Sequence, residues 1–409
     1  MSGFDDDFTP QPERLRHALE CLLTEPSELP LTQPWPHDFP EDGRSGDAII
    51  DLLAPKVLGQ AVKLGSPIAM AHMDPPTPWL AWVMTQWNAR LNQNVLHQAT
   101  SPVAREIESK VIHWLAPYFG MTGGFMTGGA TLSNLNALWA AREARGIKRV
   151  IASSAAHVSI AKAANILGLP VVKVPAHRTG AMDSSALSGD LSDAALVLTA
   201  GTTGTGAIDP LMVDTRAAWI HVDAAWAGPL IFTQYAERLE GIKRADSVAV
   251  SAHKLLFQPK DAALVFFRDP ERSLAAISAH GAYLADANVG VQGSRGAVAI
   301  PLFATLLAWG QRGLKARIEH CMAASESLAA WIAGQRELEL LAEPVSGVVV
   351  WRIKKDDRSP KQPSFGWPET MASQVVIDGE TWIRQVAANP LVDVDQVIGA
   401  IDSELERRR

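Results

Sequence analysis

Ser247-Val-Ala-Val-Ser-Ala-His253-Lys254 is the stretch from which the fold is read. Its small, apolar residues have the pattern of a short buried strand that stops abruptly at a His-Lys pair. A strand ending in lysine delivers an ammonium group to the rim of a sheet, where open α/β proteins bind their ligands. A solvated lysine after a strand is the ordinary explanation of an isolated pair of this kind. The segments around it decide between the two.

Working outward, short β-rich runs alternate with helical patterns between Gly120 and Asp269. Strands are expected at 149–153, 171–174, 195–200, 218–222, 247–251 and 263–267. Helices are expected at 131–146 and 157–168, with a shorter one near 232–240. This alternation predicts a parallel, doubly wound sheet. Upstream, residues 1–47 are rich in Pro and acidic groups and read as an arm with one short helix at 11–23. From Ala48 to about Ala116 the pattern is mostly helical, broken by Asp74-Pro75-Pro76-Thr77-Pro78. Downstream, helices are expected at 296–310 and 311–334. Residues 335–409 carry β-rich runs at Val348–Ile353 and Gln374–Val386 and close with an amphipathic helix bearing Val394, Val397, Ile398, Ile401 and Leu405. The expected organisation is an arm (1–47), a large domain (48–320) and a small α+β domain (321–409).

Composition narrows the function classes. Of the 409 residues, 47% are hydrophobic and 20% charged, which suits a globular protein. A net charge of −7 with no long basic run argues against a nucleic-acid binder. Two cysteines, Cys21 and Cys321, supply neither a disulfide framework nor a Cys-rich zinc site, and no metal is expected. The opening Met-Ser-Gly-Phe-Asp-Asp-Asp is not signal-peptide-like, and no apolar run reaches about 18 residues. The expectation is a soluble, cytoplasmic protein.

Four segments carry chemistry. Thr127-Gly-Gly-Ala-Thr-Leu-Ser-Asn134 precedes a helix; small residues there leave backbone N–H groups free, with Thr131 or Ser133 adding a hydroxyl, an arrangement that cradles an anion. The plain alternative is a glycine turn before a helix cap. Ala156-His157-Val158-Ser159 places an imidazole at the next helix start, as a ring-stacking group, an acid or a polar cap. Thr199-Ala-Gly-Thr-Thr-Gly-Thr-Gly206 is too rich in Gly and Thr for ordinary helix or strand and is either a ligand loop or a structural turn. His221-Val-Asp223-Ala-Ala225-Trp226 ends a strand in a carboxylate that needs a cationic partner if it is to stay charged. An aspartate facing a pyridine nitrogen keeps that ring protonated and therefore electron-withdrawing, and Lys254 then supplies the amine for a Schiff base. Together the four specify pyridoxal phosphate.

These segments, in this order, resemble the group II pyridoxal-phosphate decarboxylases, which act on aromatic amino acids, glutamate, histidine and diaminobutyrate. The likeness extends to Leu91-Asn92, Ser101-Pro102 through Glu106-Ile-Glu108, and Gly293-Ser-Arg295. It implies an aspartate-aminotransferase-type (fold type I) enzyme whose large domain holds a mostly parallel sheet flanked by helices. It also implies a homodimer with active sites at the subunit interface. Carried over by position, Lys254 forms the Schiff base, Asp223 pairs with the pyridine nitrogen, His157 stacks on one ring face and Ala225 lies on the other. Gly129, Ala130, Thr131, Ser251 and His253 surround the phosphate, and Thr202 contacts the ring hydroxyl region. The tyrosine that reprotonates the α-carbon has one counterpart near its expected place, Tyr283, in a shortened loop. His72, Gln98, Trp35 and Arg384 are candidate substrate contacts, with core packing or a structural ion pair as the alternatives.

The implied reaction converts an amino acid to its primary amine and carbon dioxide. The same residues also serve another pyridoxal-phosphate lyase reaction, oxidative deamination or a catalytically silent relative. A metal hydrolase built on His221 and Asp223 is the rival from a different class. The run from Ala71-His-Met through Glu108 leans toward relatives acting on diaminobutyrate or acidic substrates.

Overall fold

A computed structural model describes residues 9, 11–24, 37–282, 284–354 and 366–407. Contacts divide the chain into Met1–Lys63 and Leu64–Arg409. In the first unit, helices α1 (Pro12–Leu23) and α2 (Gly46–Val57) pack together, joined by an Arg14–Asp47 ion pair and by His17 Nε2 against Asp51 Oδ1 at 3.0 Å. Ser45 caps α2 by accepting from the Ala48 N–H.

The second unit begins with α3 (Trp79–Leu91) and α4 (Pro102–Leu115), each entered through proline, whose fixed φ suits a first helical turn. Then come β1 (Gly123–Thr127), α5 (Ala130–Arg145), β2 (Arg149–Ser153), α6 (Val158–Ile166), β3 (Val171–Val174), β4 (Ala194–Thr199), β5 (Trp219–Asp223), β6 (Ser247–Ser251) and β7 (Ala263–Phe267). These strands form one sheet in the order β1-β7-β6-β5-β4-β2-β3. β7 runs antiparallel to both its neighbours and the remaining pairs are parallel. The C-terminal ends of β1, β2, β4, β5 and β6 therefore share one edge, the edge where such sheets bind ligands.

Side chains alternate across this sheet with period two. Val222, Val248, Leu264 and Phe266 point into one core cluster; Trp219, Val265 and Phe267 point into the other, under α5 and α6. With both faces covered, the central strands are continuously buried, which explains their unbroken apolar runs.

After α7 (Pro270–Ala276) and the paired β8 (Ser278–Ala279) and β9 (Asn288–Val289), helix α8 runs from Ala299 to Gly334. Gly310, at φ 61°, kinks it at the junction of the two helices expected from sequence. A second, antiparallel sheet follows in the order β10-β11-β13-β12, formed by Leu338–Leu340, Val348–Ile353, Glu380–Val386 and Ser373–Ile377. Helix α9 (Val394–Glu406), capped by Asp393, closes the chain. The larger core cluster continues into this part through Trp351, Trp382 and Val397.

Three elements differ from the sequence reading. β1 was absent from it because Gly-Gly-Phe-Met-Thr has neither alternation nor length. The run Gln374–Val386 is two strands, split by a two-residue turn with Asp378 and Gly379 both at positive φ, the Asp-Gly hairpin signal. The helix near 232–240 is instead the short 3-10 turns Gly228–Phe232 and Ala236–Leu239, because Pro229 and Gly241 leave no room for a full helix. Among the described residues, no helix is long and apolar enough to cross a membrane.

Candidate active site

At the shared strand edge lies a cavity of about 320 Å³. One wall is the turn from β1 into α5. Thr127 Oγ1 donates to Gly129 O and accepts from Ser133 Oγ at 2.7 Å, so Ser133 is spent holding the turn while Thr131 borders the cavity. Gly129 sits at φ 136°, a conformation essentially reserved for glycine, and turns the chain so that α5 starts with no side-chain cap. Its first N–H groups are left to an anion. Glu108 on α4 holds β1 from behind. It accepts the Met126 N–H and forms a bidentate pair with Arg295 at 2.5 and 2.7 Å.

The floor is Asp223, the last residue of β5. Its Oδ2 accepts from Asn134 Nδ2 at 2.9 Å and its Oδ1 from the Ala225 N–H at 3.2 Å. Asn134 Oδ1 in turn meets His221 Nε2 at 2.9 Å, and His221 Nδ1 meets Ser247 Oγ at 2.8 Å. Both nitrogens of His221 are thus engaged, which removes it as the metal ligand of the rival reading. Among the described residues, no group of three or more His, Cys, Asp or Glu is placed to hold a metal.

His157 caps α6, its Nδ1 accepting from the Ser159 N–H and lying 2.8 Å from Ser159 Oγ. Burial pushes its pKa down, the nearby Lys254 adds to this, and Asp223 opposes it. Lys254, just beyond β6, has its pKa lowered first by burial and then by Lys260 and Arg384, against Asp223 and Asp74. Such an amine is more readily neutral and nucleophilic than a solvated lysine. His253 donates from Nδ1 to Ala262 O and has Nε2 3.1 Å from Ser251 Oγ; burial is the main reason its pKa falls to about 4.

The structure brings Gly129, Ala130, Thr131, His157, Asp223, Ala225, Ser251, His253 and Lys254 around this one cavity. Thr202 is turned away: its Oγ1 bonds Thr205 Oγ1 and the Ala207 N–H inside its own turn. His72 and Gln98 are exposed and do not line the cavity. Arg384 is buried and does not line the cavity, and among the described residues no carboxylate forms an ion pair with it. Its Nε donates to Thr203 O and its Nη1 to Ala71 O and Ser373 Oγ. Burial brings its pKa down to about 10. Tyr283 and Trp35 lie outside the described residues.

Four contributors have no individual role in the sequence reading. Asn134 lies in the glycine-rich turn read as an anion cradle, yet its amide engages the Asp223 carboxylate. Thr199 lines the cavity with a buried Oγ1 that has no hydrogen-bond partner among the described residues, and Thr203 lies beside it. Gln292 reaches from a distant loop to accept the Gly128 N–H at 2.8 Å, a contact with no local signal.

These residues fit pyridoxal phosphate. An uncapped helix start would suit a phosphate, a buried carboxylate would suit a pyridine nitrogen, and the Thr199 hydroxyl, unpartnered among the described residues, would suit a polar group. The volume lies within the roughly 300–1,000 Å³ usual for ligand pockets. The family model of the pyridoxal-dependent decarboxylase conserved domain matches residues 30–354.

The chain belongs to the pyridoxal-dependent decarboxylase family.

Its relatives include the L-2,4-diaminobutyrate decarboxylase of Rhizobium meliloti, 31% identical over 91% of this chain and 84% of the relative. Another is the aspartate 1-decarboxylase of Aliivibrio fischeri, 27% identical over 72% of this chain and 65% of the relative. Among solved structures, Oryza sativa TDC with PLP and tryptamine superposes with a TM-score of 0.81 at 19% identity, covering 97% and 99% of the two chains. Fold type I is thereby shared across low identity. Like its family, this protein is a carboxy-lyase that uses pyridoxal phosphate to decarboxylate an amino acid.

Proposed function

We propose that the strand-edge cavity is the decarboxylase site and that Lys254 is the residue that holds the cofactor covalently. The observation that carries this is the convergence of Lys254, Asp223, His157 and the uncapped start of α5 on one cavity. Gly129, Ala130, Thr131, Ser251 and His253 hold the phosphate, Asp223 the pyridine nitrogen, and His157 and Ala225 the two ring faces. Thr199 takes over the polar contact that sequence assigned to Thr202. Pyridoxal phosphate, when bound, supplies the electron-withdrawing ring that accepts the electrons of the breaking Cα–carboxylate bond.

The chain's own groups orient the substrate and move protons. Arg384 does not line the cavity, but it is held by carbonyl oxygens beside Thr203, which does, and no ion pair engages it among the described residues; it is the candidate contact for a substrate carboxylate. His157 carries a proton at Nε2, since Nδ1 accepts hydrogen bonds; it and Lys254 are the proton carriers we assign to the α-carbon, with Tyr283 a third candidate. Residues 48–320 form the cofactor domain in this reading, 321–409 the small domain and 1–47 an arm. The exposed Trp79, Trp82 and Trp87 on α3 support a homodimer, and a cytoplasmic location completes the proposal.

The test is the absorbance of the purified protein with pyridoxal phosphate, followed by carbon dioxide release from a panel headed by 2,4-diaminobutyrate and aspartate. Amine and carbon dioxide in equal amounts are expected. A protein that takes up no cofactor, or that releases keto product without carbon dioxide, overturns the reading.

A further inference from the structure

Beneath the cavity runs a file of buried polar side chains drawn from four elements: Trp219 and His221 on β5, Ser247 on β6, Asn134 on α5 and Ser159 on α6. All are at most 3% exposed. The directions of the hydrogen bonds in the file follow from what each group is able to donate, together with the neutral state of the buried His221 ring. The Trp219 indole N–H only donates, and it lies 2.8 Å from Ser247 Oγ. Asn134 Oδ1 only accepts, so His221 Nε2, 2.9 Å away, carries the proton there. Complete burial holds the His221 pKa down at about 4, so the ring is neutral and its Nδ1 is an acceptor. Ser247 therefore donates its hydroxyl proton to His221 Nδ1.

With Oδ1 committed to His221, the Asn134 amide has one orientation. Its two Nδ2 protons go to Asp223 Oδ2 and Ser159 Oγ, each at 2.9 Å. The reverse orientation would aim a carbonyl oxygen at the Asp223 carboxylate and force the His221 proton onto Nδ1. Ser159, having accepted from Asn134, donates onward to His157 Nδ1, so the His157 proton sits on Nε2.

We propose that His221 and Asn134 are positioning residues: through one amide they aim the Asp223 carboxylate and, by way of Ser159 Oγ, reinforce the His157 tautomer that the Ser159 backbone N–H already favours. Neither borders the reacting atoms through its own chemistry, and His221 does not line the cavity. A buried file that is satisfied throughout resists rearrangement, because breaking one link leaves a buried polar group unpaired. The proposal rests on the assignment of Asp223 and His157 to the cofactor, though the hydrogen-bond directions do not.

The experiment is a long-range proton–nitrogen correlation spectrum of the full-length, cofactor-loaded protein with ¹⁵N-labelled imidazoles, paired with steady-state kinetics. In the wild type, protons are expected on Nε2 of both His221 and His157; a proton on Nδ1 of either overturns the relay without any variant. His221→Phe is expected to lower kcat by about tenfold to hundredfold, with a smaller change in KM, and to shift the His157 imidazole nitrogen signals. His221→Gln, whose amide N–H is able to donate to Asn134, is expected to recover most of both. Wild-type kcat and an unaltered His157 signal in His221→Phe would refute positioning. If Lys254→Ala retained turnover while both Nε2 protons were seen, the site assignment would fall and the relay would stand.

Discussion

At Lys254 a single amine is surrounded by opposing influences, and burial outweighs the carboxylates beside it. Lys254→Ala is therefore expected to abolish carbon dioxide release, since both the cofactor link and a proton carrier are lost; wild-type turnover in that variant would contradict the assignment. Asp223→Ala is expected to keep the cofactor bound, as judged by absorbance, yet to lose most activity, because the ring is then a weaker electron acceptor. Arg384 makes a contrasting prediction. A charge-assisted hydrogen bond contributes about 1.5–3 kcal/mol, so Arg384→Gln is expected to raise KM about tenfold to a hundredfold for a substrate whose carboxylate it holds. An unchanged KM across the panel would return Arg384 to a purely structural role, binding Thr203 O and Ala71 O.

Among elements, β1 shows how the sheet edge is built by close approach. Gly124 lies at φ 156°, and a Cβ there would sit 2.0 Å from Val265 O of the paired β7. Gly124→Ala is expected to lower the melting temperature markedly, since the backbone has to shift to relieve the clash; an unaltered Tm would show that the strands separate at little cost. The same element explains what was legible beforehand. Strands 149–153, 247–251 and 263–267 were readable because each is a compact apolar run with turns at its ends. β1 was not, since its glycines are there for contact with β7, a strand far away in sequence. The β12–β13 hairpin was hidden for the opposite reason, as β-formers on both sides of Asp378-Gly379 masked a turn signal that was present.

For the whole molecule, pH is the informative variable. His221 has its folded pKa depressed to about 4 from an ordinary 6.5, so between these values the unfolded chain binds more protons. Stability is therefore full above about pH 6.5 and declines as the pH falls toward 4, where His221 charges on unfolding. A fully buried imidazole with this shift accounts for on the order of 3 kcal/mol across that window. Urea unfolding midpoints from pH 7 to pH 4 are expected to fall, and to fall less in His221→Phe; equal slopes would show that other groups govern acid stability. Sedimentation of the purified protein is expected to report a dimer, and a monomer at micromolar concentration would remove the interface from the proposal.

The sequence by itself determined the kind of chemistry available. The ordered glycine-rich turn, His157, Asp223 and His253-Lys254 specify a cofactor and the strand ends that carry it, because residue type and local periodicity are properties of the chain alone. It also marked a break in the helical pattern at Asp74-Pro75-Pro76-Thr77-Pro78, after which a helix begins at Trp79. Only the tertiary structure decided which hydroxyls face the cavity, turning Thr202 inward on Thr205 and setting Thr199 on the cavity wall. It alone decided that Arg384 is held by the carbonyl oxygens of Thr203 and Ala71, and that Asn134 joins Asp223 to His221. Those outcomes depend on burial and on distances of a few ångströms between residues far apart in sequence, and neither quantity exists until the sheet has assembled.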